Sequence, residues 1–593
     1  MSDFTTRPEI RGTFGVATST HWIASAVGMG ILEKGGNAFD AAVATALTLQ
    51  VVEPHLNGPA GDMPAIFYSA ETGKVEVLCA QGVAPEAATI EHYTDQGLAL
   101  IPGSGLLATV VPGAFDGWML MLRDHGTMTL RDVMQPAIDY ARDGHPVLPR
   151  VANTIAGLQT FFEKEWPTSA AVWTPQGRAP EPHALFKNPA LAATYERLAS
   201  VPGDTREAQI DAARYEWREG FVADAIFDYL ENAKVMDVSE AKHSAVLARS
   251  DMANWRATYE TPLSYEYHGW TVYKTQAWSQ GPVLLQALAI LKGFELGAMD
   301  PNGAEFVHIV IEAMKLAYAD REAYYGDPDF SEIPMDVLLS EDYNAQRRAM
   351  IGPDASMDHR PGRVHGFEAQ ADAYIERAQR DFDIGNVVAQ EPTMAHLTEK
   401  RGDTVHLDII DRWGNMVAAT PSGGWLQSNP VIPGLGFPLN SRAQMYWLEN
   451  GLPSSLMPKS RPRTTLTPSY AEKDGVQLVF GTPGGDQQDQ WQLIWFLRFV
   501  HFGMGLQECM DQPLFHSMHF QGSFFPREVR TGEMMIEPTV GDDVVKDLRA
   551  RGHKVTVAEP WTVGRLTAAL REPNGVLRAA ATPRLMQAYA VGR

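Results

Sequence analysis

The stretch 402–424, GDTVHLDIIDRWGNMVAATPSGG, places a hydroxyl residue, Thr404, at the head of an alternating run directly behind Gly402-Asp403. Val405, Leu407 and Ile409 fall on one face of that run and His406 and Asp408 on the other, the pattern of a half-buried strand. Asp411-Arg412-Trp413-Gly414-Asn415 supplies turn residues, and Met416-Val417-Ala418-Ala419 reads as the return strand. Thr404 is therefore either a β-branched residue opening a strand or a nucleophile. Downstream, RPRTTLTPS (461–469) sets Thr464 and Thr465 side by side ahead of Thr467-Pro468. A short strand, Leu478-Val479-Phe480, then runs into Gly481-Thr482-Pro483-Gly484-Gly485-Asp486. Consecutive glycines let main-chain N–H groups approach a ligand with no Cβ in the way. Paired donors of that kind are what the oxyanion of an acyl transfer needs. A tight turn is the competing reading, because Gly and Pro dominate turns.

The elements that must position these groups alternate between helix and strand, with no internal repeat. Residues 22–34 and 38–52 read as two helices separated by Gly35-Gly36, with Asn37 placed to cap the second. In the second, Phe39, Val43, Ala46 and Leu47 recur at helical spacing and define a buried face. The pattern returns at 306–317 in Phe306, Ile309, Val310, Ala313, Met314 and Ala317. Strand signals gather at 63–80, 404–420, 476–481 and 576–582, so the chain reads as a layered α+β body with no linker between independent domains. Residues 340–403 differ: they are polar, broken by Gly352-Pro353-Asp354 and Arg360-Pro361-Gly362, with one helix expected near 367–382. A long irregular segment inside a compact protein marks a functional loop, and this one leads straight to Thr404.

Composition sets outer limits. The 593 residues are 45% hydrophobic and 20% charged, an ordinary globular balance with ample core. A formal net charge of −23 repels nucleic acid and anionic membrane alike, so neither is expected as a partner. Two cysteines, Cys79 and Cys509, make neither a disulfide framework nor a cysteine metal cage. MSDFTTRPEIRGTFG has no basic and apolar signal pattern, and no long uninterrupted apolar run follows, so a cytoplasmic compartment is expected. The nucleotide-binding patterns GxGxxG and GxxxxGK[ST] and the GxSxG elbow are missing. His516 and His519 form an HxxH pair without HExxH or neighbouring carboxylates, which reads as structural, and no metal is expected.

Taken together, these motifs resemble the γ-glutamyltransferase family of N-terminal nucleophile hydrolases. The resemblance runs through GMGILEKGGNAFDAAVATA (28–46), TMTLRDVMQPAIDYARDG (127–144) and AYADREAYYGDPDF (317–330), then through 402–420, the threonine pair and the PGG loop. It implies a four-layer αββα sandwich and a precursor that cuts itself between Asp403 and Thr404. The products would be a large subunit, 1–403, and a small subunit, 404–593, forming one composite catalytic domain, with room for a dimer of such heterodimers. It further implies an acyl-enzyme on Thr404, Thr420 as a supporting hydroxyl, and an oxyanion held by Gly484 and Gly485. Water or an amine acceptor would complete the reaction without a cofactor. By the same resemblance Thr464 and Thr465 stand where a serine pair meets the substrate carboxylate. Asn440 and Ser422 fall among the substrate-binding positions.

Departures from the family pattern bear on the substrate. Gln81, in Ala80-Gln81-Gly82, aligns with the arginine that binds a glutamyl α-carboxylate, and Met445 with the acid that meets the α-amino group. Arg442 falls where a neutral amide is common, and its guanidinium suits bidentate carboxylate binding. Arg442 could equally be a structural ion-pair partner. The exchange points to the acylase-like branch and a small amide whose acyl group carries a second carboxylate. A true γ-glutamyl hydrolase or transferase acting on glutathione-like compounds is the alternative, and an inactive, unprocessed binding protein is the third reading.

Overall fold

The computed structural model describes residues 4–380 and 404–593. Its helices include α1 (Trp22–Glu33), α2 (Ala38–Val52), α3 (Ala114–His125) and α4 (Leu130–Asp143). Further along come α5 (Pro282–Leu291), α6 (Ala304–Tyr324), α7 (Glu368–Ala378) and α8 (Gln488–Phe502).

Among the described residues, two seven-stranded antiparallel sheets dominate. Their strands in chain order are β1 (Ile10–Gly12), β2 (Gly15–Ser19), β3 (Met63–Ser69), β4 (Lys74–Ala80), β5 (Thr258–Glu260), β6 (Leu263–Tyr267) and β7 (Trp270–Lys274). There follow β8 (Leu407–Asp411), β9 (Met416–Ala419), β10 (Ser469–Lys473), β11 (Val476–Gly481), β12 (Thr567–Arg571), β13 (Leu577–Ala581) and β14 (Tyr589–Gly592). The first sheet runs β14-β2-β8-β9-β3-β4-β5 and the second β1-β13-β12-β11-β10-β7-β6. Each sheet draws strands from both sides of residue 404, so neither section of the chain closes a sheet by itself.

Three apolar clusters show how the layers stack. On the outer face of the first sheet, Leu407, Ile409, Val417 and Phe67 pack with residues of α1 to α4. On the outer face of the second, Leu478, Phe480 and Leu570 pack with α5, α6 and α8. Between the sheets, Val16, Ile66, Ile410 and Ala418 meet Tyr470, Val479, Ala569 and Ala579. The chain is an αββα sandwich of the α+β class, as the sequence leads one to expect. Val405, Leu407 and Ile409 face the helices, so alternation turns Thr404, His406 and Asp408 toward the second sheet.

Helix α2 departs from expectation. One buried face was expected, yet all of its residues are buried. It lies beneath α1, α3 and α4 on one side and against the first sheet on the other, so no face reaches water. Its start is fixed by Asn37, which caps Phe39 and Asp40, and by Asp40, whose carboxylate returns to the Asn37 N–H. The same carboxylate accepts from the Thr127 N–H (2.9 Å), the Thr127 hydroxyl (2.8 Å) and the Met128 N–H (3.0 Å), tying α2 to the start of α4. In the irregular segment, α7 occupies the helix expected near 367–382, and 381–403, with Gly402-Asp403, falls outside the described residues.

Asp40→Ala strands several buried donors at once. Hydrogen bonds to charged groups are worth about 1.5–3 kcal/mol each, so the variant should lose about 3 kcal/mol or more, read as a lower urea midpoint. An unchanged midpoint would show that α2 does not depend on this carboxylate.

Candidate active site

The pairing beyond the ends of β8, β9, β3 and β4 builds the site. Val405 N–H donates to Pro421 O (3.1 Å), and Thr404 bridges Ser422. Ser422 and Asp62 exchange backbone hydrogen bonds of 3.0 and 2.9 Å. Met63–Ala80 is the last pair of the β3–β4 ladder, so Asp62 and Gln81 are the residues just beyond its end. Directly opposed residues of antiparallel strands point to one face. Thr404, Ser422 and Asp62 therefore form a transverse row facing the second sheet, with Gln81 just past the end of β4, and all four are buried. Thr404 Oγ1 lies 3.2 Å from Ser422 Oγ, and the Thr404 carbonyl accepts from Arg565 Nη2 at 3.1 Å.

The next row inward holds Thr420, whose hydroxyl lies 2.9 Å from His406 Nδ1. His406 Nε2 lies 2.9 Å from Asp408 Oδ1. Asp408 Oδ2 accepts from the hydroxyls of Thr18 (2.9 Å) and Thr567 (2.6 Å), the latter on the opposite sheet. Gly481 leaves space for the imidazole, since a Cβ there would lie 2.2 Å from His406 Cε1. Sequence reasoning missed His406 and Asp408, treating them only as the other face of a strand. The signal was present in T-x-H-x-D, three polar residues at period 2 beginning with Thr404.

The PGG loop follows β11. Gly484 and Gly485 take φ values of 132° and 55°, which L side chains rarely adopt, and a Cβ on Gly484 would meet Trp491 at 2.2 Å. Among the described residues no hydrogen bond uses the N–H of Gly484 or of Gly485. Thr482 in the same loop accepts from the Arg565 N–H (3.2 Å), and the Arg565 side chain reaches Thr404, so one residue links loop and nucleophile candidate.

At the far end of the row, Arg442 donates through Nε (3.1 Å) and Nη2 (2.8 Å) to a single oxygen, Asp62 Oδ1. Its Nη1 donates to the Met445 sulphur at 3.7 Å. Burial pushes the Asp62 carboxyl up, and Arg442 opposes that shift. Asn440 is otherwise engaged: its amide nitrogen donates to Ala60 O and Val110 O, and its oxygen accepts from the N–H of Val110 and of Arg442. Thr464 Oγ1 accepts from the Leu466 N–H at 3.4 Å. The Thr465 hydroxyl and both polar atoms of Gln81 are buried without a hydrogen-bond partner.

Behind Thr404, Arg565 lies 3.7 Å from Glu53, which also accepts from Thr20 (2.6 Å). Burial pushes the Glu53 carboxyl up to about 7, with Arg565 pulling the other way. Burial also pushes His21 down to about 3 and holds His55 well below the usual imidazole range, so both are neutral at physiological pH. Elsewhere, His308, Glu312 and His553 bring possible metal-ligand atoms within 4.8 Å of one another. Glu312 is already paired with Lys315 and Arg360, and those cations oppose a divalent ion there. His519 binds Asp358 O and the Gly532 N–H through its two ring nitrogens, a structural role.

Glu53 holds its proton more tightly in the folded chain than in the unfolded one. Its contribution to stability is therefore present below the unfolded value of about 4.3 and is lost as pH rises through about 7. Glu53→Gln has no such proton to release, so its melting midpoint should change less across that window than the parent's. Parallel profiles would show that Glu53 does not titrate there.

The Gamma-glutamyltranspeptidase family model matches residues 24–592. The glutathione hydrolase-like YwrD proenzyme of Bacillus subtilis (strain 168) is 28% identical over 579 residues, 97% of each chain. The solved structure of LmbA2991HD is 51% identical and covers 100% of both chains at a TM-score of 0.90. The cephalosporin acylase from Bacillus halodurans is 26% identical, covering 100% of this chain and 98% of its own, at a TM-score of 0.82. This chain belongs to the gamma-glutamyltranspeptidase family, enzymes of the N-terminal nucleophile hydrolase fold.

Proposed function

We propose that the chain is a proenzyme that cleaves itself between Asp403 and Thr404, leaving 1–403 and 404–593 associated, and then acts as a threonine amidohydrolase or acyltransferase. A mid-chain amide nitrogen is no base, but the α-amine of a free threonine titrates at about 7.7–8.0 and suits proton transfer near neutrality. Thr404 attacks the substrate carbonyl, and the uncommitted N–H groups of Gly484 and Gly485 receive the oxyanion. An acyl-enzyme forms, and water or an amine resolves it. Family membership and the buried row Thr404–Ser422–Asp62 support this reading.

One observation carries the choice of acyl group: Arg442 is only half committed. Asp62 occupies one edge of the guanidinium, while Nη1 faces the Met445 thioether, a weak acceptor. An acid at 445 would close that edge; methionine leaves it open to a substrate carboxylate. The Gln81 amide and the Thr465 hydroxyl, both buried without a hydrogen-bond partner, are further neutral groups a substrate could engage. The substrate is then a monoamide of a dicarboxylic acid. The γ-glutamyl alternative, on glutathione-like compounds, draws on the Asp62 carboxylate, which is shared between Arg442 and the Thr464 hydroxyl and could accept an ammonium.

Purified protein should separate under denaturing conditions into two pieces, the smaller beginning at Thr404, by intact mass and N-terminal sequencing. Thr404→Ala should stay full length and inactive; cleavage at the same bond in that variant would falsify self-processing. A parent chain that stays full length and turns over no amide would instead favour the unprocessed binding protein.

Substrate choice is tested with glutaryl and γ-glutamyl p-nitroanilides. The glutaryl compound should have the higher kcat/KM, by about one to two orders of magnitude for a charged hydrogen bond gained. Met445→Glu should remove most of that advantage while preserving the Arg442–Asp62 pair. A γ-glutamyl preference that ignores Met445→Glu rejects the carboxylate reading.

A further inference from the structure

We infer that Asp408 and His406 are positioning residues that fix the direction of the Thr420 hydroxyl, so that Thr420 meets the nucleophile only as a hydrogen-bond acceptor. The inference rests on Thr404 being that nucleophile.

The donor directions follow one from another. Thr18 and Thr567 both place hydroxyls on Asp408 Oδ2, at 2.9 and 2.6 Å, from the two different sheets. That leaves Oδ1 for His406 Nε2, 2.9 Å away. A carboxylate only accepts, so Nε2 carries the imidazole proton, and in the neutral ring Nδ1 is then a bare lone pair. Thr420 Oγ1, 2.9 Å from Nδ1, must donate to it. With that proton committed, the remaining valence of Thr420 Oγ1 is two lone pairs. Thr420 is the diagonal neighbour of Thr404 on this face, one row in from Ser422. Toward Thr404 it can therefore only accept, which suits an N–H of the free α-amine.

This arrangement has a chemical consequence. In the acylation step the Thr404 hydroxyl proton passes to its own α-amine as Oγ1 bonds the acyl carbon. The amide C–N bond then breaks, and that proton leaves with the amine product. Nothing enters the Thr420–His406–Asp408 chain. Its part is to hold one amine N–H, so that the amine lone pair faces the Thr404 hydroxyl, and to receive the ammonium while it exists. Gly481 belongs to the same device, since any side chain there would displace the ring. The whole chain is buried, so water does not compete for these bonds.

Asp408→Asn reverses the direction with almost no change of shape. The two threonine donors favour the amide oxygen at the Oδ2 position, which turns the NH2 toward His406 Nε2. That nitrogen must then accept, the proton moves to Nδ1, and Nδ1 now donates to Thr420. The hydroxyl is thereby freed to donate toward Thr404. A wrong imidazole tautomer of this kind lowers kcat while leaving the fold intact, so we expect kcat per processed site to fall on the order of 10²-fold or more, with KM unchanged. The processed fraction is counted by N-terminal sequencing, and the melting midpoint is measured alongside. Parental kcat in Asp408→Asn overturns the inference, as does a loss that follows KM or the melting midpoint. Where the variant fails to fold, a ¹⁵N-histidine spectrum of the parent enzyme decides, with His406 assigned by its loss in His406→Asn. Protonated Nε2 with bare Nδ1 supports the inference, and the opposite tautomer overturns it. Turnover that survives Thr404→Ala refutes the nucleophile reading instead, so the two failures are distinguishable.

Discussion

The register of β8 against β9, and of β9 against β3, is the constraint on which the site depends. Side chains in a strand alternate with a period of two, so a slip of one residue exchanges its faces. Slipped by one, β8 would turn Thr404, His406 and Asp408 into the helix-side core and send Val405, Leu407 and Ile409 between the sheets. The apolar side prevents this, because Leu407 and Ile409 are fully buried against α1 and α2. Burying one such side chain is worth about 1.5–3 kcal/mol, and putting an unpaired carboxylate in its place costs several more. The apolar face thus fixes the position of the polar one, and the row Thr404–Ser422–Asp62 follows from pairing alone.

Several charges inside the sandwich are matched by an opposite one. Arg442 faces Asp62, Lys274 faces Asp489, and Arg321 faces Glu322 and Asp486, all buried. Buried pairs of this type add little net stability, since desolvation offsets attraction, but removing one partner costs about 3–5 kcal/mol. That asymmetry decides how Arg442 is to be read. It is a structural ion-pair partner and a candidate substrate contact at once, and the two roles use different edges of one guanidinium. Replacing Met445, which touches only the open edge, separates them; replacing Arg442 would confound them.

The sequence made much of this legible, and the failures have physical causes. Alternation placed Val405, Leu407 and Ile409 on one face correctly, because β8 is an antiparallel strand between two unlike layers. Glycines 484 and 485 announced a backbone that other residues adopt only under strain. The face of α2 was misjudged because a helix covered on every side shows no stripe for periodicity to find. Asn440 illustrates another limit: its amide is engaged by four backbone groups, a setting that the residue type alone does not reveal. His406 and Asp408 were overlooked because a polar strand face normally means solvent. Here a second sheet covers it, and a single chain segment carries no sign of the layer that will lie above it.

Shared sheets also explain how the cut proposed before Thr404 would leave the two pieces together. In the first sheet β8 lies between β2 and β9, and β9 pairs with β3, so strands from both sides of residue 404 alternate. In the second, β1 pairs with β13 and β7 with β10, again across that boundary. Separating 404–593 from the rest would break ladders in both sheets and expose the core between them. Breaking one peptide bond removes none of those contacts. It adds only the freedom of two new ends, and one of them, Thr404, remains held through its carbonyl by Arg565 and its pairing with Ser422. On the proposed reading the new amine would therefore arise in a site that is already assembled, with reactivity gained by a change of valence at one nitrogen and not by refolding.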